Sequence, residues 1–168
     1  MESEGTKEAK LKIAQSNVAV EAQALPACDD RLAMLATLCN RFQVDILYLF
    51  GSRSDEVYRW LTGAEPALAP GPSDVDVGVK PHRGVHMWVH DKVDLAIALE
   101  DWLGVNRVDL VSLDDADAFL AAEIIRGARV YERDGYEADE YDLYVLRRAG
   151  DLAPLERERM AMILGKRS

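Results

Sequence analysis

Three acidic residues in this sequence have the type and spacing to hold a cation. Ser73-Asp74-Val75-Asp76 puts two carboxylates on alternate residues of a strand-like segment, so both point the same way with Cα atoms about 6.5–7 Å apart. Carboxylates held so repel one another unless solvent or a cation intervenes, and hard oxygen ligands suit Mg2+. Asp109 is a third, isolated in the apolar run Val108-Asp109-Leu110-Val111. Upstream, Phe50-Gly51-Ser52 closes another apolar run. Glycine there lets backbone approach a ligand, and a helix starting at that turn directs free N–H groups and its positive dipole end at an anion such as phosphate. Each feature alone has a plainer reading: an ordinary Gly-Ser turn, a solvated sheet face, a strand-end aspartate.

The elements that position these residues follow from hydrophobic period. Asp29 or Asp30 can cap a helix whose apolar residues Leu32, Leu35, Ala36, Leu38 and Cys39 recur at helical spacing. Val44–Phe50 is short, β-rich and almost wholly apolar, the pattern of a buried strand. A helix follows Ser52 to about Leu61, and residues 62–73, with Gly63, Pro66, Pro70, Gly71 and Pro72, read as an irregular loop. Val75, Val77 and Val79 alternate with Asp74, Asp76 and Gly78 as a second strand. Val85–Leu103 predicts a helix with Val85, Val89, Val93 and Ile97 on its apolar face and Trp88, Leu95, Leu99 and Trp102 beside it, stopped by Gly104. Arg107–Ser112 is a third strand, Asp114–Arg126 a helix ended by Gly127, and Ala128–Glu132 a fourth strand. Two further helices, Glu137–Arg148 and Leu155–Leu164, are expected on either side of Gly150 and Pro154. The alternation predicts an α/β (α+β) fold, a small mixed β-sheet flanked by helices.

Composition narrows the function. The chain has 168 residues, 49% hydrophobic and 30% charged, with 20 Lys+Arg against 30 Asp+Glu for a net charge of −10. A surface so acidic repels phosphate backbones, so nucleic acid is not the expected partner. No apolar run approaches the roughly 20 residues that span a bilayer, and MESEGTKEAK lacks the order of a secretory signal; a cytoplasmic location is expected. Cys28 and Cys39 have no metal-ligand spacing. His82, His86 and His90 lie four apart without the glutamate of a zinc motif and read as solvent-facing. Trp60, Trp88 and Trp102 read as core or interface anchors, the tyrosines Tyr131, Tyr136, Tyr141 and Tyr144 as helical packing or a partner surface, and Lys80 as a solvated edge residue.

Order and spacing join the separate features. Gly51-Ser52 after the first strand, Ser73-Asp74-Val75-Asp76 opening the second and Val108-Asp109-Leu110-Val111 in the third resemble the DNA polymerase β-like nucleotidyltransferase superfamily, and within it the minimal nucleotidyltransferase domains that serve as antitoxins beside HEPN-domain toxins. The resemblance runs from about Arg31 to Tyr131. It departs after Ser52, where the family usually continues Gly-Ser-x-Ala-Arg-Gly and reaches its Ser-Asp sooner; here Arg53-Ser54-Asp55-Glu56 and a proline-rich insertion intervene.

The resemblance implies a polymerase β palm-like fold and two-metal nucleotidyl transfer of AMP from ATP to a hydroxyl. It makes Asp74, Asp76 and Asp109 the metal-binding catalytic residues for two Mg2+ ions, and Gly51, Ser52, Arg53 and Ser73 the nucleotide contacts. An exposed residue at a helix start is the alternative for Arg53. The implied acceptor is a tyrosine of a cognate HEPN toxin. A small-molecule acceptor such as an aminoglycoside, or a binding module that neutralises its partner by contact alone, remain open at this point. Residues 1–27 are expected to be an extension, 28–135 the nucleotidyltransferase core and 136–168 a C-terminal helical segment.

Overall fold

A computed structural model describes residues 28–165; the expected extension at 1–27 lies outside the described residues. In chain order the elements are α1 (Cys28–Arg41), β1 (Val44–Phe50), α2 (Ser54–Leu61), β2 (Val75–Pro81), α3 (Val89–Leu103), β3 (Val108–Ser112), α4 (Ala118–Ile125), β4 (Ala128–Glu132) and α5 (Gly135–Ile163). The strands form one sheet in the order β3-β2-β1-β4. β1 runs antiparallel to both β2 and β4, and β2 runs parallel to β3, so the expected mixed α/β fold is what forms.

The central strands are apolar on both faces because helices cover both. On one side Leu47 and Leu49 of β1 and Val75, Val77 and Val79 of β2 pack with Leu35, Cys39, Val57, Trp60, Leu95 and Leu99 of α1, α2 and α3. On the other, Ile46 and Tyr48 meet Ala121, Ala122 and Ile124 of α4 and Ala138 and Val145 of α5. Gly78 is needed on this second face: a Cβ there would run into the side chain of Ile124. The buried hydroxyl of Tyr48 donates to Asp142 at 2.5 Å, and Arg129 holds that carboxylate from its other side at 3.1 Å.

Four expectations change. The helix expected from Val85 starts at Val89, where the Asp91 carboxylate accepts the Trp88 N–H at 2.8 Å. Its buried face is Leu95, Leu99 and Leu103, while Val89, Val93 and Ile97 face solvent. The helix expected from Asp114 starts at Ala118, capped by Asp117, whose carboxylate accepts from the N–H groups of Phe119 and Leu120 at 2.9 Å. The two late helices are one, α5, which runs through Gly150 and Pro154; both residues are exposed, so the carbonyl left without a donor by the proline can turn to water. Lys80 lies on an interior strand and is half-buried, paired with Asp114 at 2.9 Å and lying over the Tyr141 ring.

The insertion is a strap tied down by two buried arginines. Arg31 of α1 donates to the carbonyls of Trp60, Glu65 and Pro66 and stacks over the Trp60 ring. Arg53 donates to the carbonyls of Ala69 at 2.8 Å and Ser73 at 3.2 Å. Leu68 packs on the core between these anchor points.

Candidate active site

The site forms at one end of the sheet, where β1 ends and β2 and β3 begin. Parallel pairing puts Asp76 of β2 opposite Asp109 of β3, so register alone brings two of the carboxylates side by side. On its other flank Asp76 pairs with Phe50 of β1, and the chain then turns at Gly51 with φ +73°. A Cβ on Gly51 would overlap the Asp76 carboxylate, with its Cγ only 2.8 Å away. The glycine is therefore required twice, for a backbone conformation that side chains disfavour and for the space the carboxylate fills.

Burial and the two other acids raise the affinity of Asp76 for its proton. Desolvation contributes most, then the charges of Asp109 and Asp74. Asp74 precedes β2 and leans on Arg107, with 3.5 Å between its Oδ2 and the arginine Nε. Among the described residues no three carboxylate, histidine or cysteine side chains converge as ready metal ligands. The donor set still suits Mg2+: hard oxygens on adjacent strands, repelling one another, beside a turn whose glycine leaves room for the carboxylate.

Ser52 is exposed in the turn. The N-terminus of α2 that follows has no side-chain cap; its first amide, of Ser54, donates to the Gly51 carbonyl at 3.5 Å, and the amides after it are placed to meet an anion. Arg53, expected either at the phosphates or exposed, is buried instead. Its guanidinium pairs with Glu56 at 2.9 and 3.0 Å and with the strap carbonyls. The hydrogen bonds to Arg53 hold the Glu56 carboxyl below its ordinary range. Ser73 is exposed at the end of the strap, and its carbonyl is one of the Arg53 acceptors. Sequence reasoning missed Arg107 beside Asp74 and Arg31 of α1 as an anchor of the strap. For the Arg53–Glu56 pair a signal existed, since residues three apart at a helix start can meet.

The histidines gather no site. His82 bonds to Asp45, His86 stacks edge-on against Trp88, and His90 lies by Asp91. Trp60 and Trp102 meet edge-to-face in the core at 5.4 Å.

The family model described as polymerase beta, nucleotidyltransferase matches residues 34–136, a span containing Gly51, Ser52, Ser73 and all three aspartates. The chain belongs to this nucleotidyltransferase family. No curated protein matches it in sequence. Among solved structures, the nucleotidyltransferase resembles a chain from a mutant of the toxin–antitoxin MntA-HpeT at 19% identity and TM-score 0.58, covering 79% of this chain and 94% of that one. A chain from a toxin–antitoxin with AMP-PNP matches at 20% identity and TM-score 0.57, covering 79% and 94%. A chain from a tri-AMPylated Shewanella oneidensis HEPN toxin in complex with MNT antitoxin matches at 21% identity and TM-score 0.55, covering 81% and 95%. At these identities the shared property is the fold. Among the described residues no helix is long and apolar enough to cross a membrane.

Proposed function

We propose that this nucleotidyltransferase uses Mg2+ to move AMP from ATP onto a tyrosine hydroxyl of a cognate HEPN toxin, and so acts as an antitoxin in the cytoplasm. The observation that carries the reading is the cross-strand pair Asp76–Asp109 packed against the Gly51 turn. The fold shared with a toxin–antitoxin holding AMP-PNP and with a complex whose toxin carries AMP supports the choice of ATP and of a protein acceptor. The net charge of −10 favours a basic protein partner over nucleic acid. Residues 28–135 are the catalytic unit in this reading and 136–168 a helical appendage, a division supported by the end of the family match at residue 136.

In this reading Asp74, Asp76 and Asp109 would hold the two Mg2+ ions. When bound, the metal supplies Lewis-acid polarisation of the acceptor hydroxyl and offsets triphosphate charge. The Gly51 and Ser52 amides, the Ser52 hydroxyl and Ser73 orient the β- and γ-phosphates at the uncapped start of α2. The acceptor oxygen bonds to the α-phosphorus, the bond from that phosphorus to the bridging oxygen breaks, and pyrophosphate leaves. Asp109, exposed at the edge strand, takes the hydroxyl proton or passes it to water. Arg53 serves the nucleotide indirectly, by fixing the strap that ends at Ser73.

The test is calorimetric titration of ATP, with and without Mg2+, into the wild type and an Asp74→Asn, Asp76→Asn double variant. Mg2+-dependent binding that the double variant loses is the expected result. Equal binding to both proteins removes the assigned site, and absence of binding by the wild type leaves contact alone as the mode of neutralisation.

A further inference from the structure

α3 carries two apolar faces and the protein uses one. Leu95, Leu99 and Leu103 are buried against the sheet, whereas Trp88, Val89, Val93 and Ile97 are 61, 74, 50 and 49% exposed. Val89, Val93 and Ile97 recur every four residues, so they form one continuous ridge on the helix. A contiguous apolar patch on a surface marks an interaction site.

Resting on the function proposed above, we infer that this ridge is the surface on which the acceptor protein docks, through an apolar helix or ridge flanked by Lys or Arg. Charge selects that occupant. Asp94 and Asp101 lie along one flank of the ridge, are exposed, and hold no ion pair among the described residues. A second copy of this chain packed by a twofold axis would bring the same acidic flank against itself, and like charges so placed oppose association. A basic flank on a different protein satisfies both carboxylates. Glu100, on the next turn from Ile97, accepts the Val108 N–H at 2.9 Å, which ties the C-terminal end of α3 to β3, one of the two edge strands of the sheet. α3 packs on the face opposite Asp76 and Asp109, so a protein seated on it reaches the carboxylates round the β3 edge, where Asp109 is exposed.

The experiment uses a HEPN-domain toxin whose growth arrest the full chain relieves on co-expression. Binding of the purified toxin is measured by calorimetry for the wild type, Val93→Glu, Ile97→Glu and an Asp94→Lys, Asp101→Lys double variant, with Mg-ATP affinity measured beside it. The three variants are expected to bind toxin at least about 30-fold, 30-fold and tenfold more weakly, with ATP affinity unchanged because the substituted side chains are exposed and outside the site. A photo-crosslinking amino acid at position 97 is expected to join the toxin. Toxin binding within about threefold of wild type in all variants, or cross-linking of one copy of this chain to another, overturns the docking surface and leaves the catalytic reading standing. If the wild type relieves no HEPN-domain toxin and adds AMP to none, the catalytic reading falls and this surface with it.

Discussion

Replacing Gly51 with alanine separates two costs that the fold imposes at one residue. The backbone sits at φ +73°, where an L side chain costs about 1–2 kcal/mol. The new methyl also overlaps the Asp76 carboxylate, whose Cγ lies 2.8 Å from the Cβ position, so carboxylate or turn must shift by something on the order of 1 Å. A displacement of that size in a reacting array costs about 100-fold in rate, or roughly 2.7 kcal/mol of barrier. Gly104 supplies the control. It has φ +67°, and a methyl added there would meet nothing within 4 Å, so Gly104→Ala carries the backbone cost alone. Urea unfolding should show both variants destabilised by about 1–2 kcal/mol, with Gly51→Ala the worse. Only Gly51→Ala should lose Mg-ATP binding and AMP transfer, the latter by about 100-fold. If Gly51→Ala retains ATP affinity and transfer within about twofold of Gly104→Ala, the packing of Asp76 on the turn has no functional meaning.

Other consequences of the structure are open to direct measurement. Arg53→Met keeps the buried stem but removes the charge-assisted bonds to Glu56, Ala69 and Ser73; it should lower stability in urea by about 2–3 kcal/mol and open the strap to proteolysis within residues 62–73. Tyr48→Phe deletes the donor to Asp142 and should cost about 1–2 kcal/mol in urea. Burial pushes the Cys39 thiol from 9.0 up to about 12, the Arg133 charge opposing weakly. In a Cys28→Ser background, Cys39 should resist alkylation until the chain unfolds. Because the folded thiol keeps its proton where the unfolded one loses it, this contribution to stability is full below pH 9.0 and declines towards about pH 12. Flat stability through that range would refute the burial of the thiol.

Much of the site was legible because its chemistry is local in sequence. Gly51-Ser52, Ser73-Asp74-Val75-Asp76 and the Asp109 strand each declare themselves within a few residues, and strand period puts Asp76 on a chosen face. What brings Asp76 beside Asp109 is a parallel register between strands separated by α3, which no local pattern encodes. The helices were harder where more than one rule applied. α3 has apolar residues on nearly every side, so periodicity could not say which stripe the sheet would take. Gly150 and Pro154 read as a break, yet α5 continues because the groups they leave unbonded face solvent. α4 starts after Asp117, whose carboxylate caps it, while Asp114 lies in the turn before and pairs with Lys80. The role of Arg53 depended on where the strap returns, and that is set by contacts as distant as Arg31 to Pro66.

Transfer of AMP to a protein by the three aspartates and the Gly51 turn is tested most directly on the acceptor itself. Purified chain is incubated with Mg-ATP and a HEPN-domain toxin that it neutralises, and the toxin is then analysed by mass spectrometry. AMP on a toxin tyrosine is expected with the wild type and none with Asp109→Asn. Toxin neutralised by the wild type but carrying no AMP, or carrying it equally with Asp109→Asn, would contradict the assignment.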